Sequence, residues 1–341
     1  MQALVWEGPR QMVMREVAEP EPGPEEVVVK VRFSGICGSE LGGYLGHNSL
    51  RKPPLIMGHE FAGEIVALGE RASEIKPTLA LGQRVTVNPL IHRPWSTPGL
   101  QGRQNLDAER KIVGIHRPGS YAQAVAVPAV NVYPIPDALS YERAALTEPM
   151  ACALRAVRLA GVQPTSTVLI TGLGPIGLLA LNVALAAGAR HIIATDMDPD
   201  RCAIGAEMGA TVYSPADTDV VAAVREATDG RGADMAIDAV GAHATRRDCI
   251  QAVAWGGRVI FTGLHEEEST IQANYIIRSE IAVQGSFAYT ALDFEDALQW
   301  LIDGRLDVDQ YIIKAPLAEG GPCFERLLSK PGAVAKILLE S

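Results

Sequence analysis

The chain has 341 residues, 48% of them hydrophobic, and 40 acidic against 30 basic side chains give a formal charge of −10. That length exceeds one core and sets an expectation of two domains, while the acidic balance works against polyanionic partners, so neither nucleic acid nor membrane is an expected partner. The opening MQALVWEGPR lacks the apolar run of a secretory signal, no stretch reaches spanning length, and five scattered cysteines suit a reducing compartment, which sets the expectation of a cytoplasmic protein.

Up to about residue 135 the chain reads as short strands (EVVVKVRFSG, FAGEIVALG, GQRVTVNPL, SYAQAVAVPA) separated by Gly, Pro and charged turns, with no regular helix alternation. From about Thr165 the pattern changes. Apolar runs such as STVLITGLG, HIIATDMDPD, DMAIDAVG and GGRVIFTGL alternate with Ala-rich, helix-length stretches, as successive βαβ units of a parallel sheet do. After about Tyr289, DFEDALQWLIDGRL reads as an amphipathic helix and AVAKILLES as a closing strand, a tail expected to return to the first domain.

VLITGLGPIG places Gly172, Gly174 and Gly177, with Pro175 and Ile176 between the last two, as G-x-G-x-x-G directly after a strand and before a helix. The first glycine permits the tight turn, the second admits a pyrophosphate to the backbone, and the third lets helix and strand pack closely. The next strand ends at Asp196, where a carboxylate can accept from the adenosine ribose hydroxyls and would repel a 2′-phosphate. NAD is therefore expected over NADP, with Arg201 a weak counterweight or a cover for the adenine. Ala239 and Gly241 in IDAVG, and Gly263 and Leu264 in FTGL, fall at strand ends where a nucleotide would lie.

Three further segments carry metal-type side chains. GICGSE supplies Cys37 after a strand, MGHEFAGEIV supplies His59 and Glu60 before another, and LTEPMACALRAV supplies Glu148 at a helix start. Thiolate, imidazole and carboxylate form a zinc set with one open position, the arrangement of a catalytic centre beside a hydride acceptor. Each residue alone has a plain structural reading, as a core cysteine, a surface turn or a helix start.

Taken in order, GICGSE, GHEFAGEIVALG, GSYAQAVAVPA, TEPMACAL and GLGPIG resemble the zinc-dependent medium-chain dehydrogenases, in the branch of sorbitol, butanediol and sugar-alcohol dehydrogenases. The resemblance spans the chain. It implies an α/β protein with a GroES-like β-rich catalytic domain over residues 1–150 and 290–341 and a Rossmann domain with a doubly wound parallel sheet over 151–289. It implies NAD and one catalytic Zn²⁺ on Cys37, His59 and Glu148, with Glu60 a ligand in some states or a close carboxylate. By the same likeness Ser39 relays the substrate proton, Ser286 and Phe287 lie near the nicotinamide and the subunit interface, and the chain forms a homodimer or homotetramer. The glutamate in the Glu148–Pro149 pair points to a polyol, sugar alcohol, diol or sugar acid oxidised to a ketone or aldehyde. Threonine-type members resemble Asp-Pro there, and a non-catalytic nucleotide-binding protein would not need the three ligands.

Two residues depart from the family pattern: Glu40 replaces an aspartate, and Gly42 replaces a histidine that passes the proton outward, leaving His47 or water for that step. Tyr44, Arg51, Lys52, His116 and Arg117 are candidates to line the substrate cleft and are otherwise solvated surface; cations facing the zinc would favour an anionic substrate. Finally, relatives carry a structural zinc on C-x2-C-x2-C-x7-C, and those positions fall here on Arg93, Ser96, Gly99 and Asp107. No structural zinc is expected. Pro94, Pro98, packing of Trp95 on the body or a neighbouring subunit, and an Arg93–Asp107 contact are expected to stabilise the loop in its place.

Overall fold

A computed structural model of the chain describes every residue except Asn48, Ser49, Pro94 and Asp307. The described residues form two compact units. One comprises Met1–Pro149, Thr290–Pro331 and Lys336–Ser341, and the other Met150–Tyr289 with Gly332–Ala335. Within the tail expected in the first domain, Gly332–Ala335 instead belong to the second unit, where a Cβ on Gly332 would meet Asp200 Oδ2 at 3.6 Å.

The first unit is organised around the strand Glu26–Gly35. Val27, Val29 and Val31 alternate into a core with Phe61, Ile65, Val85, Val125 and Val127, where β-branched side chains suit the pleated surface. This strand pairs antiparallel with Glu60–Leu68, Ala124–Pro128 and Lys336–Glu340, inside a seven-stranded sheet. Register shifts at Val28/Val29 and Val31/Phe33 bend it. Its last residue, Gly35, faces Glu60 on one side and Leu338 on the other. Three distant segments therefore converge where the strand gives way to Cys37. The expected closing strand is Lys336–Glu340, and the expected amphipathic helix is Ala291–Ile302. Short helices at Gly38–Tyr44, Ala72–Ile75 and Thr97–Leu100 lie between the strands of the β-rich half without alternating regularly with them.

The second unit is a six-stranded parallel sheet in the order Thr211–Tyr213, His191–Thr195, Thr167–Thr171, Ala233–Asp238, Val253–Phe261, Ala282–Gly285. This is the doubly wound order in which the first strand lies at the centre, next to the switch point. Thr167–Thr171 is buried throughout, as its unbroken apolar character demands of a strand covered on both faces.

Candidate functional site

Cys37 is the N-cap of the helix Gly38–Tyr44, and its backbone N–H donates to Glu40 Oε2 at 3.2 Å. His59 follows Gly58, a left-handed residue (φ 97°) where a Cβ would lie 2.6 Å from Ser120 Oγ and 2.8 Å from Tyr121 N. Only glycine fits there, and it delivers His59 to the start of the strand beside Gly35. One ligand atom each from Cys37, His59 and Glu60 lies within 4.8 Å of the others, the arrangement able to take a metal ion among the described residues.

Glu40 stands behind His59. It is fully buried, and its Oε1 meets His59 Nδ1 at 3.0 Å and accepts from Gly58 N at 2.9 Å, while Oε2 accepts from the Tyr121 hydroxyl. Burial by itself would raise its carboxyl, but the charge and hydrogen bond of His59, with Arg51 and Tyr121, bring it down to about 2. The converse holds at His59, where burial would lower the pKa yet Glu40 and Cys37 raise it well above the ordinary value. The imidazole therefore sits in a field that calls for a positive charge. With Nδ1 committed to Glu40, Nε2 is left for a metal, the usual carboxylate–histidine–metal order. The donor set fits zinc.

Glu60 is buried and paired with Lys336, whose Nζ lies 2.8 Å from Oε1 and 2.6 Å from Oε2. Glu148, expected as the third ligand, stands outside the 4.8 Å group: it is buried in the first turn of the helix Thr147–Ala160, with its charge acting on Lys336. Glu60, expected as the occasional ligand, takes the nearer place. Ser39 Oγ donates to Cys37 Sγ at 3.3 Å and accepts from Arg51 Nη2 at 3.4 Å.

The expected cleft residues divide differently from their description in the sequence. Arg51 is not solvated; it is 3% exposed and also donates to Ser39 O at 3.2 Å. Tyr44 is buried and donates to Glu325 at 2.7 Å, and Arg117 pairs with Glu26 at 2.6 Å. Lys52, His116 and His47 are exposed. The roles of Lys336 and Tyr121 escaped the sequence reading, although a lysine between the apolar Ala333–Ala335 and Ile337–Leu339 was a visible anomaly.

In the second unit, the three glycines act separately. Gly172 has φ 87°, Gly174 is the N-cap of the helix Pro175–Ala186, and a Cβ on Gly177 would fall 1.7 Å from Gly172 O. Asp196 ties the turn together, accepting from Leu173 N (2.7 Å) and Asp198 N (2.8 Å). It thus makes the capping contact that is its plain structural role and keeps lone pairs for a ribose. Arg201 stands at the glycine turn, its Nη1 3.7 Å from where a Gly174 Cβ would be. Buried Asp238 accepts from Val240 N and Gly241 N at 3.0 Å, and its carbonyl accepts from Gly263 N at 2.9 Å. This draws the Ala239–Gly241 and Gly263–Leu264 turns together at the ends of the parallel strands, leaving Leu264 74% exposed. Ser286 follows the last strand, N-H bonded to Phe261 O at 2.8 Å, with a buried Oγ lacking a partner; Phe287 is half-buried.

The loop from His92 to Asp107 stands on a two-stranded stem, Leu90–Ile91 against Lys111–Ile112. Its four thiolate-equivalent positions bond among themselves. Asp107, 1% exposed, accepts from Arg93 N (2.9 Å) and Arg93 Nη2 (3.0 Å); Ser96 Oγ donates to Arg93 O (3.0 Å) and accepts from Gly99 N (3.1 Å). Pro98 lies in the first turn of Thr97–Leu100, and Pro94 is outside the described residues. Trp95 is 85% exposed, so the expected packing against the chain's own body does not occur.

Residues 23–137 match the family model of the alcohol dehydrogenase GroES-like domain, and residues 175–303 that of the zinc-binding dehydrogenase. The chain is 34% identical to (R,R)-butanediol dehydrogenase of Bacillus subtilis over 92% of either protein. It is 33% identical to sorbitol dehydrogenase of the same organism, over 99% of this chain and 97% of that one. A solved structure of an alcohol dehydrogenase from Escherichia coli CFT073 complexed with NADH superposes with a TM-score of 0.92 at 26% identity, covering 100% of this chain and 99% of that one.

Proposed function

Because the chain belongs to the zinc-binding dehydrogenases with an alcohol dehydrogenase GroES-like domain, we propose that it oxidises a secondary alcohol of a polyol, sugar alcohol, diol or sugar acid, with NAD⁺ as hydride acceptor. The observation that carries this reading is the Cys37–His59–Glu60 group with Glu40 behind the imidazole. Cys37, His59 and Glu148 would hold one zinc, with Glu60 alongside. When bound, the metal supplies Lewis acidity that brings a substrate hydroxyl's pKa toward neutrality.

The chain's own groups do the rest. Glu40 holds the imidazole in one tautomer and orientation. Ser39 Oγ, steadied by Arg51, relays the substrate proton, taking it onto a lone pair as its own hydroxyl hydrogen leaves to water, since the guanidinium has no lone pair to receive it. In the second unit, the turn from Gly172 to Gly177 receives the diphosphate, and Asp196 accepts from the ribose hydroxyls and repels a 2′-phosphate. Arg117 is paired with Glu26 within the fold, which removes one of the cations that would favour a sugar acid or phosphate, while Arg51 is held beside Ser39. Relatives are named for butanediol and sorbitol and also for L-galactonate and D-arabitol phosphate, so they support the polyol, diol and sugar-acid class as a whole.

We also infer that the His92–Asp107 loop takes no structural zinc, its ligand positions being engaged by the Arg93–Asp107 pair and the Ser96–Gly99 cap. The exposed Trp95 supports a homodimer or homotetramer in which a neighbouring subunit covers it, and five free cysteines support a cytoplasmic location. The test is zinc content per chain, measured with NAD⁺ reduction across polyols, vicinal diols, aldonates and threonine. One zinc with polyol or diol oxidation is expected. Turnover without zinc overturns the metal assignment, two zincs overturn the reading of the loop, and better use of NADP⁺ overturns the role of Asp196.

A further inference from the structure

Lys336 is a buried ammonium that the reaction described above does not employ. It is 3% exposed and opens the strand Lys336–Glu340, whose neighbours Ile337, Leu338 and Leu339 are all core residues. An ammonium has three hydrogens, and here each has an acceptor: Glu60 Oε1 at 2.8 Å, Glu60 Oε2 at 2.6 Å and Ile36 O at 3.2 Å. The carboxylate is seated just as closely. A Cβ at Gly35 would lie 2.3 Å from Glu60 Oε2, so the glycine is what gives that oxygen its room. Yet the same carboxylate also presents an oxygen within 4.8 Å of the Cys37 sulfur and a His59 nitrogen. One carboxylate thus has two rival partners: two charge-assisted hydrogen bonds draw it toward the ammonium, and a cation at the Cys37–His59 position would compete with them for the same oxygens.

We propose that Lys336 is a positioning residue that retains Glu60 off the metal and so preserves the open coordination position a substrate hydroxyl needs. The inference rests on the zinc reading above. Charge counting points the same way: thiolate Cys37 and carboxylate Glu148 balance a divalent ion, and Glu60 with Lys336 is neutral by itself. Without the ammonium, Glu60 is an uncompensated buried charge next to a cation, and a buried charge without a partner moves to the nearest one.

The test uses Lys336→Met and is read first from the metal. Residues behind a metal site ordinarily support its ligands, and losing one weakens binding by about 10–100-fold. Here the opposite sign is expected. Zinc in Lys336→Met should pass to a chelator roughly tenfold or more slowly than in the unsubstituted protein, because a fourth protein ligand holds it, the reverse of the ordinary loss. The visible spectrum of the cobalt-substituted variant should no longer respond to an added alcohol, and kcat should fall more than KM rises. The double variant Lys336→Met/Glu60→Gln, which removes both charges, should recover the chelation rate and the alcohol-responsive spectrum. Faster zinc loss from Lys336→Met, or a double variant that behaves as the single one, overturns the proposal. Absence of zinc from the unsubstituted protein is a different result, which overturns the metal reading itself.

Discussion

Replacing Glu40 by glutamine preserves its size while removing its charge, and the structure allows the loss to be counted bond by bond. The carboxylate accepts from Cys37 N, Gly58 N and Tyr121 Oη and meets His59 Nδ1. An amide oxygen in the place of Oε1 still serves Gly58 and His59. The amide nitrogen in the place of Oε2 can donate to Tyr121, whose own hydroxyl hydrogen then turns wholly to Gly35 O, 3.1 Å away. The Cys37 N–H is left facing a donor. One buried, unpaired backbone N–H costs about 1–3 kcal/mol, and the lost charge on the His59 bond roughly 1.5–3 more. A destabilisation of about 3–5 kcal/mol is therefore expected, with zinc affinity reduced about 10–100-fold because the imidazole loses its orienting partner. Urea unfolding of the metal-stripped protein measures the first quantity, and chelator competition the second. Unfolding within about 0.5 kcal/mol of the unsubstituted protein, with zinc affinity unchanged, would refute the claim that Glu40 organises the site.

Asp107→Asn should loosen the loop while leaving zinc content and hydride transfer intact, seen as faster amide exchange at Arg93 and Glu109. Hydrogen bonds from Arg93, first its side chain and then its backbone N–H, hold the Asp107 carboxyl well below the usual range. Its folded pKa being depressed, the stabilisation is fully present above the ordinary carboxylate pKa and is lost as pH falls through the lower folded value; the asparagine variant should lose that acid dependence. Gly177→Ala forces a Cβ to within 1.7 Å of Gly172 O, so the turn must open, at about 1–3 kcal/mol; calorimetric NAD⁺ titration should show affinity reduced about 10–100-fold, and unchanged affinity would remove Gly177 from the site. Asp196→Ser should lower the preference for NAD⁺ over NADP⁺ by about 10–100-fold, as expected for losing hydrogen bonds to a charged acceptor, measured as the ratio of kcat/KM values.

What could be read from the order of residues is what local rules govern. The strand Thr167–Thr171, the turn at Gly172–Gly177 and the helix after it follow from an apolar run, three glycines and an Ala/Leu stretch within 20 residues or so, because turn geometry and helix propensity act over neighbours. The missing thiolates at Arg93, Ser96, Gly99 and Asp107 were equally visible, and so was the Arg93–Asp107 contact, 14 residues apart. Trp95 was not: whether a ring is buried depends on what wall stands opposite, which no local pattern states.

The charge balance around the metal ligands lay further out of reach. Glu40 meets Tyr121 across 81 positions and Glu60 meets Lys336 across 276, distances bridged by the pairing of Gly35 with both Glu60 and Leu338. Charge pairing depends on spatial distance and desolvation, neither of which is encoded by separation along the chain. By itself the sequence determined which side chains are available to bind zinc and nucleotide. Only the tertiary structure brought a Glu60 oxygen within 4.8 Å of the Cys37 and His59 ligand atoms and set the buried Lys336 against the same carboxylate.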